Sequence, residues 1–227
     1  MIDRKYSISS FLALRYTEKP DVDFSGKLHY RHPEIPSDDG RILVNTAQDI
    51  DAALRSQIDT VICRHNRIGI FLSGGMDSSI LASYLPGIDA YTFRFLGGDY
   101  QQGELHRAEA FAEKNDMRLH YVDIDWNTVV ENLKPVMLSK GGPVHSIEPQ
   151  ICQGAKQAKD DGVDLMIIGD ASDYIFGGMD KLLSKDWTFD AFVKRYIYVD
   201  PFEVLKEPES IQYVFERYRK GDGIDFV

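Results

Sequence analysis

The chain has 227 residues, of which 43% are hydrophobic and 11% aromatic, enough apolar material for the core of one large domain or two small ones. Its formal net charge of −10, without a long basic stretch, argues against nonspecific nucleic-acid binding, although a local basic patch stays open. Two distant cysteines without metal-ligand spacing, an N-terminus without an apolar signal region and the lack of any run of about 18 apolar residues predict a cytoplasmic protein that spans no membrane.

The first 45 residues are predicted to form a peripheral segment. Residues 8–16 have the apolar spacing of a short helix, and residues 19–39, which contain three prolines, are typical of loops or an edge hairpin. Leu43 and Val44 predict a short strand. We expect the main domain at residues 46–182 and an aromatic, helical segment at residues 183–227 that forms a packed helix, a substrate mouth or a homo-oligomer contact.

From Thr46 onward, helical and strand patterns alternate. Thr46 is a predicted helix cap, and Asp49 three residues later makes a near capping box. Strands are predicted at residues 68–72, 90–95, 119–124 and 165–168, with helices starting near residues 46, 80, 103, 126 and 148. Alternating elements with long connections predict an α/β fold with a parallel sheet, in which ligands bind beyond the carboxyl ends of the strands.

The glycine loop, residues 73–79, joins the first predicted strand to a helix and has the sequence Ser-Gly-Gly-Met-Asp-Ser-Ser. Successive backbone N–H groups in such a turn form an anion nest, and the new helix adds partial positive charge at its N-terminus. Gly74 and Gly75 permit close backbone approach to a ligand, while Ser73, Ser78 and Ser79 add hydroxyl donors. A lone Gly-Gly pair is usually an ordinary turn, but the full string between strand and helix predicts phosphate binding.

Asp77 distinguishes this loop from the Walker A pattern, which carries a lysine. A carboxylate beside a phosphate nest would repel the phosphate unless a cation lay between them. Magnesium binds proteins through one or two carboxylates together with substrate phosphates, so Asp77 predicts Mg²⁺. Two more acids, Asp170 and Asp173, follow the last predicted strand. Alone they are typical of a capped turn, but at the same sheet edge as the glycine loop they predict a Mg²⁺ site for a triphosphate.

These motifs resemble those of a known superfamily. The glycine loop is similar to the pyrophosphate-binding loop of the ATP pyrophosphatase (PP-loop) proteins. Asparagine synthetases and β-lactam synthetases carry S-G-G-L-D-S-S and later G-E-G-x-D-E-L-F-G-G, which resemble residues 73–79 and 169–178. The resemblance covers roughly residues 42–180. It implies a three-layer sandwich of the adenine nucleotide alpha hydrolase type, and cleavage of ATP between its α and β phosphates to adenylate a substrate.

The resemblance also implies roles for individual residues. The glycine loop would hold pyrophosphate, Phe71 and a residue near Arg94 would flank the adenine, and Gly169 would touch the nucleotide. Asp77 and Asp173 would hold the metal, and Asp170 would act at the reacting centre. The implied nucleotide-binding set is Phe71, Ser73, Gly74, Gly75, Asp77, Ser78, Ser79, Arg94 and Gly169.

The chain departs from the family pattern in ways that bear on the substrates. The amidotransferase half, with its N-terminal cysteine, has no counterpart here, so we expect ammonia from a separate glutaminase, free ammonia or another amine. The family's Asp-Glu-Pro acceptor loop is replaced by Gly141-Gly142-Pro143, and the second acid of the later motif is Tyr174. The chain stops about where the family's helical tail, which supplies a lysine, should continue; Lys181 and Lys185 are candidates for that role or are ordinary surface lysines.

The sequence therefore predicts an ATP-dependent amide-bond ligase that forms AMP and pyrophosphate and adenylates a small carboxylate. Two alternatives stay open. One is a non-catalytic or degenerate ATP-binding module of a larger assembly, which the missing tail and altered acids favour. The other is a tRNA-modifying PP-loop enzyme, against which two isolated cysteines and a net charge of −10 count.

Overall fold

Four parallel strands form the sheet that the alternating pattern predicts. The computed structural model describes residues 1–32, 37, 40–98, 101–145, 147–170, 172–173 and 185–225. The strands are β1 (Ile68–Phe71), β2 (Asp89–Phe95), β3 (Arg118–Ile124) and β4 (Leu165–Ile167). They pair in parallel in the order β3-β2-β1-β4. The α/β class with a parallel sheet is confirmed, and each predicted strand is correct to within one residue at either end.

The strand order places β1 between β2 and β4. The chain therefore builds the sheet outward from β1 to β3 and then returns to the other side of β1 to add β4. Such a reversal is a topological switch point, where the loops after two neighbouring strands diverge and leave a crevice for a ligand. The glycine loop follows β1, and Gly169 follows β4, so these two segments border the switch point.

Five helices accompany these strands along the chain: α2 (Ala47–Ile62), α3 (Met76–Ser83), α4 (Gln102–Lys114), α5 (Trp126–Lys140) and α6 (Glu148–Asp160). The start of α2 is the capping box that the sequence suggests. Thr46 Oγ1 accepts a hydrogen bond from the Asp49 backbone N–H at 3.1 Å, and Asp49 Oδ2 accepts one from the Thr46 N–H at 2.9 Å. The cap satisfies two backbone donors, which fixes where the helix begins.

The sheet is covered on both faces by apolar side chains that alternate along the strands. On one face, Ile70 and Ala90 pack with Ile58 of α2, Ala82 of α3 and Ala108 of α4. On the other face, a second buried cluster joins the sheet to α6 and includes Phe71, Tyr91, Val122, Ala158 and Val163. Burial on both faces is typical of parallel sheets. The fold is therefore the expected three-layer sandwich of helix, sheet and helix.

The chain divides into two compact units. The sheet unit consists of Glu34–Asn132 and Pro149–Phe176, and the terminal unit of Met1–Pro33, Leu133–Glu148 and Gly177–Val227. The terminal unit contains α1 (Arg4–Leu14), α7 (Phe189–Tyr196), α8 (Pro201–Val204), α9 (Tyr213–Glu216) and a hairpin of β5 (Arg219–Lys220) and β6 (Gly223–Ile224). A packed helix is among the predictions for residues 183–227, and it is observed as α7. The three-part division at residues 45 and 182 stays a prediction.

Both ends of the chain contribute to the core of the terminal unit. Tyr6 and Ala13 of α1 belong to the same buried cluster as Phe189, Phe192 and Phe215. Backbone hydrogen bonds tie the ends further, from the Tyr198 N–H to the Ala13 carbonyl at 3.0 Å and from the Val199 N–H to the Leu12 carbonyl at 3.1 Å. The first helix is thus held by the last segment of the chain.

Two local predictions differ from the structure. The strand at Leu43 and Val44 is wrong, because residues 41–45 have no regular structure and Leu43 is 88% exposed. The first helix begins at Arg4 rather than residue 8, because Asp3 caps it by accepting from the Tyr6 N–H at 3.0 Å. It ends before Arg15, whose φ of 70° is left-handed. In the described part of the chain, no helix combines the length and the apolar character needed to cross a membrane.

Candidate functional site

The glycine loop is held together by its own serines. Ser78 Oγ accepts a hydrogen bond from the Ser73 N–H at 3.2 Å and lies 3.0 Å from Ser73 Oγ. Ser73 Oγ also accepts from the Gly75 N–H at 3.2 Å, and Ser79 Oγ donates to the Gly75 carbonyl at 2.7 Å. These bonds connect the end of β1 to the first turn of α3. The loop therefore has a defined shape before any ligand binds.

Helix α3 begins within the glycine loop, at Met76, with Gly75 as its N-cap. Glycine has no side chain with which to accept from the first-turn N–H groups, so α3 starts without a side-chain cap. Ser73 and Gly75 are exposed, and Met76 in the first turn is 75% exposed. An open helix N-terminus with backbone donors and partial positive charge attracts anions such as phosphate.

Gly74 allows the glycine loop to pack closely against α4. Its φ is +73°, a left-handed value that favours glycine. A Cβ at this position would lie 2.4 Å from the Glu104 carbonyl oxygen and 3.0 Å from the Ala108 nitrogen. The Gly74 carbonyl in turn accepts a hydrogen bond from Arg107 Nε at 3.0 Å. Arg107 thus touches the loop, although no motif in the sequence pointed to it.

Gly169, the first residue of the second motif, lies next to the glycine loop. A Cβ here would lie 3.0 Å from the Ser78 nitrogen and 3.1 Å from its Cα, so the chain after β4 runs close to the first turn of α3. Asp170 comes next and is exposed, as is Asp173. The structure therefore places the start of the acidic segment beside the glycine loop at the carboxyl edge of the sheet.

Phe71 and Arg94, the two residues expected near the adenine, lie in different surroundings. Phe71 is 8% exposed and its ring lies 5.3 Å from that of Phe93, with Gly154 of α6 packed against it. Arg94 makes a two-pronged ion pair with Asp123 on β3, at 2.6 Å and 2.9 Å. This pairing lowers the pKa of the Asp123 carboxyl. Their roles at the nucleotide stay predictions.

Several candidate positions fall outside the described residues, namely Lys181, Tyr174 and residues 177–178 of the second motif. The lysine role and the end of the acidic segment therefore stay predictions. Lys185, the other candidate lysine, is described: its Nζ lies 3.9 Å from the centre of the Trp187 ring, which is a cation–π contact.

The carboxylates suit a metal that phosphate helps to bind. Asp77 is half-buried in the first turn of α3, and Asp173 lies four residues beyond Gly169. Over the residues that the structure describes, no group of three or more His, Cys, Asp or Glu side chains forms a ready metal site. Magnesium needs only one or two carboxylates when substrate phosphates and water complete its shell. The donor set therefore fits Mg²⁺ bound together with a nucleotide rather than alone.

A separate charged cluster occupies the amino edge of the sheet. Asp89, the first residue of β2, is fully buried. Its Oδ2 accepts from Arg67 Nε at 2.8 Å and from Arg118 Nη2 at 3.0 Å, and its Oδ1 lies 2.8 Å from His120 Nε2. Burial alone would raise the pKa of Asp89, but the hydrogen bonds from Arg67 and His120 and the charge of Arg118 hold it below its usual value.

A model of the asparagine synthase family matches residues 49–221, which include the glycine loop, Gly169, Asp170 and all four strands of the sheet. The chain belongs to the asparagine synthase family. The family resemblance of the two motifs is thereby confirmed. The matched region is therefore an ATP-dependent synthetase domain, and the enzyme is of the ligase type. A comparison with curated proteins finds no match.

Three solved structures are similar to this asparagine synthase family chain at low identity. The tRNA thiolase NcsA of Methanococcus maripaludis is 15% identical with a TM-score of 0.41, over 60% of this chain and 54% of its own. The glutamine-dependent NAD+ synthetase of Acinetobacter baumannii, in complex with ADP, is 17% identical with a TM-score of 0.42, over 61% and 28%. The NMN synthetase of Francisella tularensis is 12% identical with a TM-score of 0.39, over 75% and 91%.

The chain therefore spans about half the length of the thiolase and about a quarter of that of the NAD+ synthetase. These scores are low, so the family assignment rests on the family match and the two motifs.

Proposed function

We propose that this protein joins a small carboxylate to an amine at the expense of ATP. A carboxylate oxygen of the substrate attacks the α-phosphorus, and the bond from that phosphorus to the bridging oxygen of the β-phosphate breaks. The products of this step are an acyl-adenylate and pyrophosphate. The nitrogen of ammonia or an amine then attacks the acyl carbon, AMP leaves with the bonding electron pair, and the nitrogen loses a proton.

The observation that carries the proposal is the position of the glycine loop. It follows β1 and includes the start of α3, which has no side-chain cap, at the switch point of the sheet, with Gly169 packed against Ser78. In open parallel sheets this crevice is where ligands bind. A pre-formed set of backbone donors is suited to charge that appears on a leaving pyrophosphate, because the donors need no rearrangement during the reaction.

In this proposal the loop, residues 73–79, binds the β and γ phosphates. Asp77 and Asp173 would hold Mg²⁺, which, when bound, lowers the repulsion between the carboxylates, the phosphates and the incoming substrate. Asp170 lies beside Gly169 and would position the reacting groups around the α-phosphorus. Lys181 would neutralise the developing phosphate charge, and Phe71 and Arg94 would border the adenine.

We propose that the nitrogen comes from a partner glutaminase, or as free ammonia or another amine. A cytoplasmic location and a homo-oligomeric state remain predictions of the sequence. The acceptor is a small carboxylate; the replacement of the family's acceptor loop by residues 141–143 gives no reason to choose aspartate.

The test is a product assay with Mg·ATP, a panel of small carboxylates and ammonium or hydroxylamine. We expect AMP and pyrophosphate in equal amounts, and formation only when a carboxylate is present. An Asp77→Asn variant should lose turnover, whereas Asp59→Asn, which removes an exposed acid from α2, should retain it. Release of ADP and phosphate instead would contradict cleavage between the α and β phosphates.

The same experiment separates the alternatives. ATP binding without AMP formation with any carboxylate and amine would mean a non-catalytic nucleotide-binding module. Binding of tRNA in a gel shift, together with AMP formation that requires tRNA, would mean an RNA-modifying enzyme.

A further inference from the structure

We propose that Arg107, on α4, binds the terminal phosphates of ATP and the pyrophosphate that leaves. This inference rests on the proposed function, because it assigns one more residue to the same nucleotide site. Neither of the two sequence motifs includes Arg107, which lies 33 positions after Gly74.

The glycine loop needs a positive group from elsewhere in the chain. Its seven residues contain no lysine or arginine and one carboxylate, Asp77. The whole chain carries a formal net charge of −10. The end of a helix supplies only about half a positive charge. A leaving pyrophosphate is therefore poorly neutralised by the loop alone, even with a magnesium ion shared between the acids and the phosphates.

Arg107 is held at the loop by a hydrogen bond. Its Nε donates to the Gly74 carbonyl at 3.0 Å, and a Cβ added to Gly74 would come within 3.2 Å of the Arg107 Cβ. The lack of a side chain at Gly74 is what lets the loop approach α4 this closely. A guanidinium held at its Nε keeps one orientation, so less conformational freedom is lost when a ligand binds.

The remaining donors of this guanidinium are suited to a phosphate. Nε occupies one edge of the planar fork, and the two terminal nitrogens form another edge that matches two oxygens of a phosphate. Arg107 is exposed, and within the described chain it makes no ion pair with an acidic side chain. By contrast, the terminal nitrogens of Arg94 and Arg118 already bond to aspartates.

The strand order indicates which phosphates Arg107 would contact. The loop follows β1, with β4 on one side and β2, whose chain continues into α4, on the other. Gly169 touches the loop from the β4 side at Ser78, and Arg107 touches it from the α4 side at Gly74. Asp170 and the α-phosphorus belong to the β4 side in the proposed function. Because the glycine loop binds the β and γ phosphates in the proposed function, Arg107, which touches this loop at Gly74, would contact the same phosphates.

The experiment compares the binding of ATP, pyrophosphate and AMP by calorimetry in the full-length protein with Mg²⁺ present. We expect Arg107→Ala to raise the Kd of ATP and pyrophosphate by about 10- to 100-fold, the range for a lost charged hydrogen bond. The Kd of AMP should not change. Lys114→Ala removes an exposed cation from the far end of the same helix and should leave all three ligands unaffected.

A second variant separates charge from loop support. Arg107→Gln keeps an N–H donor for the Gly74 carbonyl but removes the positive charge, so it should weaken pyrophosphate binding nearly as much as the alanine variant. Thermal unfolding of each variant checks that the fold is retained. Normal pyrophosphate binding by Arg107→Gln, or an equal loss of AMP and pyrophosphate binding in Arg107→Ala, would overturn the inference.

The outcome also distinguishes this inference from the proposed function. A wild-type protein that binds ATP and pyrophosphate, with variants that bind them equally well, overturns only the role of Arg107. A wild-type protein that binds none of the three ligands overturns the proposed function and this inference together.

Discussion

At the amino edge of the sheet the charges are paired inside the protein, whereas at the carboxyl edge polar groups surround an open loop. Asp89 is fully buried, and both of its oxygens have cationic or imidazole partners. At the other edge, Ser73 and Gly75 are exposed and the start of α3 has no side-chain cap. One edge satisfies its polar groups internally, and the other presents donors to a ligand.

Stability and ligand binding depend on opposite edges of the same sheet. A buried carboxylate with several partners stabilises the fold only while all the partners remain, since an uncompensated buried charge is costly. An open anion site adds little to stability, because water satisfies its donors when the ligand is absent. Substitutions at the two edges should therefore affect different measurements.

The largest expected effect is on stability at the amino edge. Asp89→Ala removes the buried carboxylate to which Arg67 and Arg118 both donate and should lower the free energy of unfolding by about 3 kcal/mol, the upper end of what a lost charged hydrogen bond costs. ATP affinity of the folded protein should not change. Urea unfolding measures the first quantity and calorimetry the second. A variant as stable as the wild type would show that the buried cluster around Asp89 does not stabilise the fold.

Next in size is an effect on binding at the carboxyl edge. Gly74→Ala places a Cβ 2.4 Å from the Glu104 carbonyl oxygen, so the loop must shift. Because this loop binds the phosphates in the proposed function, the shift should weaken ATP binding by about 100-fold. Gly87→Ala is the matched control, because Gly87 has a φ of +79° but nothing within 4 Å of an added Cβ. It should lose about 1 kcal/mol of stability from backbone strain and bind ATP normally. Equal ATP affinities of the two variants would show that the close packing of Gly74 against α4 does not matter for ATP binding.

Acid should weaken the amino edge in a way that depends on Asp89. Its pKa in the folded state is lowered, so its stabilising contribution is complete above the unfolded pKa of about 3.9. As the pH falls below that value the unfolded chain takes up the proton first, and the contribution is lost on the way to the folded pKa. In Asp89→Asn, the fall in unfolding free energy between neutral and acidic pH should be smaller than in the wild type. If the unfolding free energies of Asp89→Asn and the wild type fell equally as the pH was lowered, protonation of Asp89 would not explain the loss of stability in acid.

The smallest effect is expected at the ion pair of Arg94 and Asp123. These side chains are 43% and 46% exposed, so water screens them. Asp123→Asn should cost at most about 1 kcal/mol of stability, although it removes an aspartate from two short hydrogen bonds. Urea unfolding beside Asp89→Asn compares the two pairs directly. A loss as large as that at Asp89 would show that burial is not what separates them.

Much of the sheet unit was predictable from local pattern. Apolar runs bounded by turn residues locate the four strands, and Thr46 with Asp49 locates the start of α2, because these signals depend on neighbours within a few positions. The glycine loop could also be found, since its residues are consecutive. The placement of Gly169 against Ser78 required the strand order, which the alternation of elements suggests but does not fix.

The residues that sequence reasoning missed make long-range contacts. Arg107 lies 33 positions from Gly74, and the Asp89 carboxylate is completed by His120, 31 positions away. A charged residue at the start of a strand or on a helix is usually a surface residue, and its own neighbours in the sequence give no sign otherwise. The false strand at Leu43 and Val44 has the opposite cause, because an apolar pair forms a strand only when another strand is available to pair with it.

The joining of the two chain ends in the terminal unit has a consequence for the order of folding during synthesis. The hydroxyls of Tyr6 and Tyr213 lie 2.6 Å apart although 207 positions separate them, and Glu18 accepts from both. This core cannot close until the chain has been synthesised past Phe215. The sheet unit, complete by residue 176, can fold earlier as a unit. Until residues 189–215 have been synthesised, Tyr6 and Ala13 of α1 lack the aromatic partners with which they are buried in the folded protein.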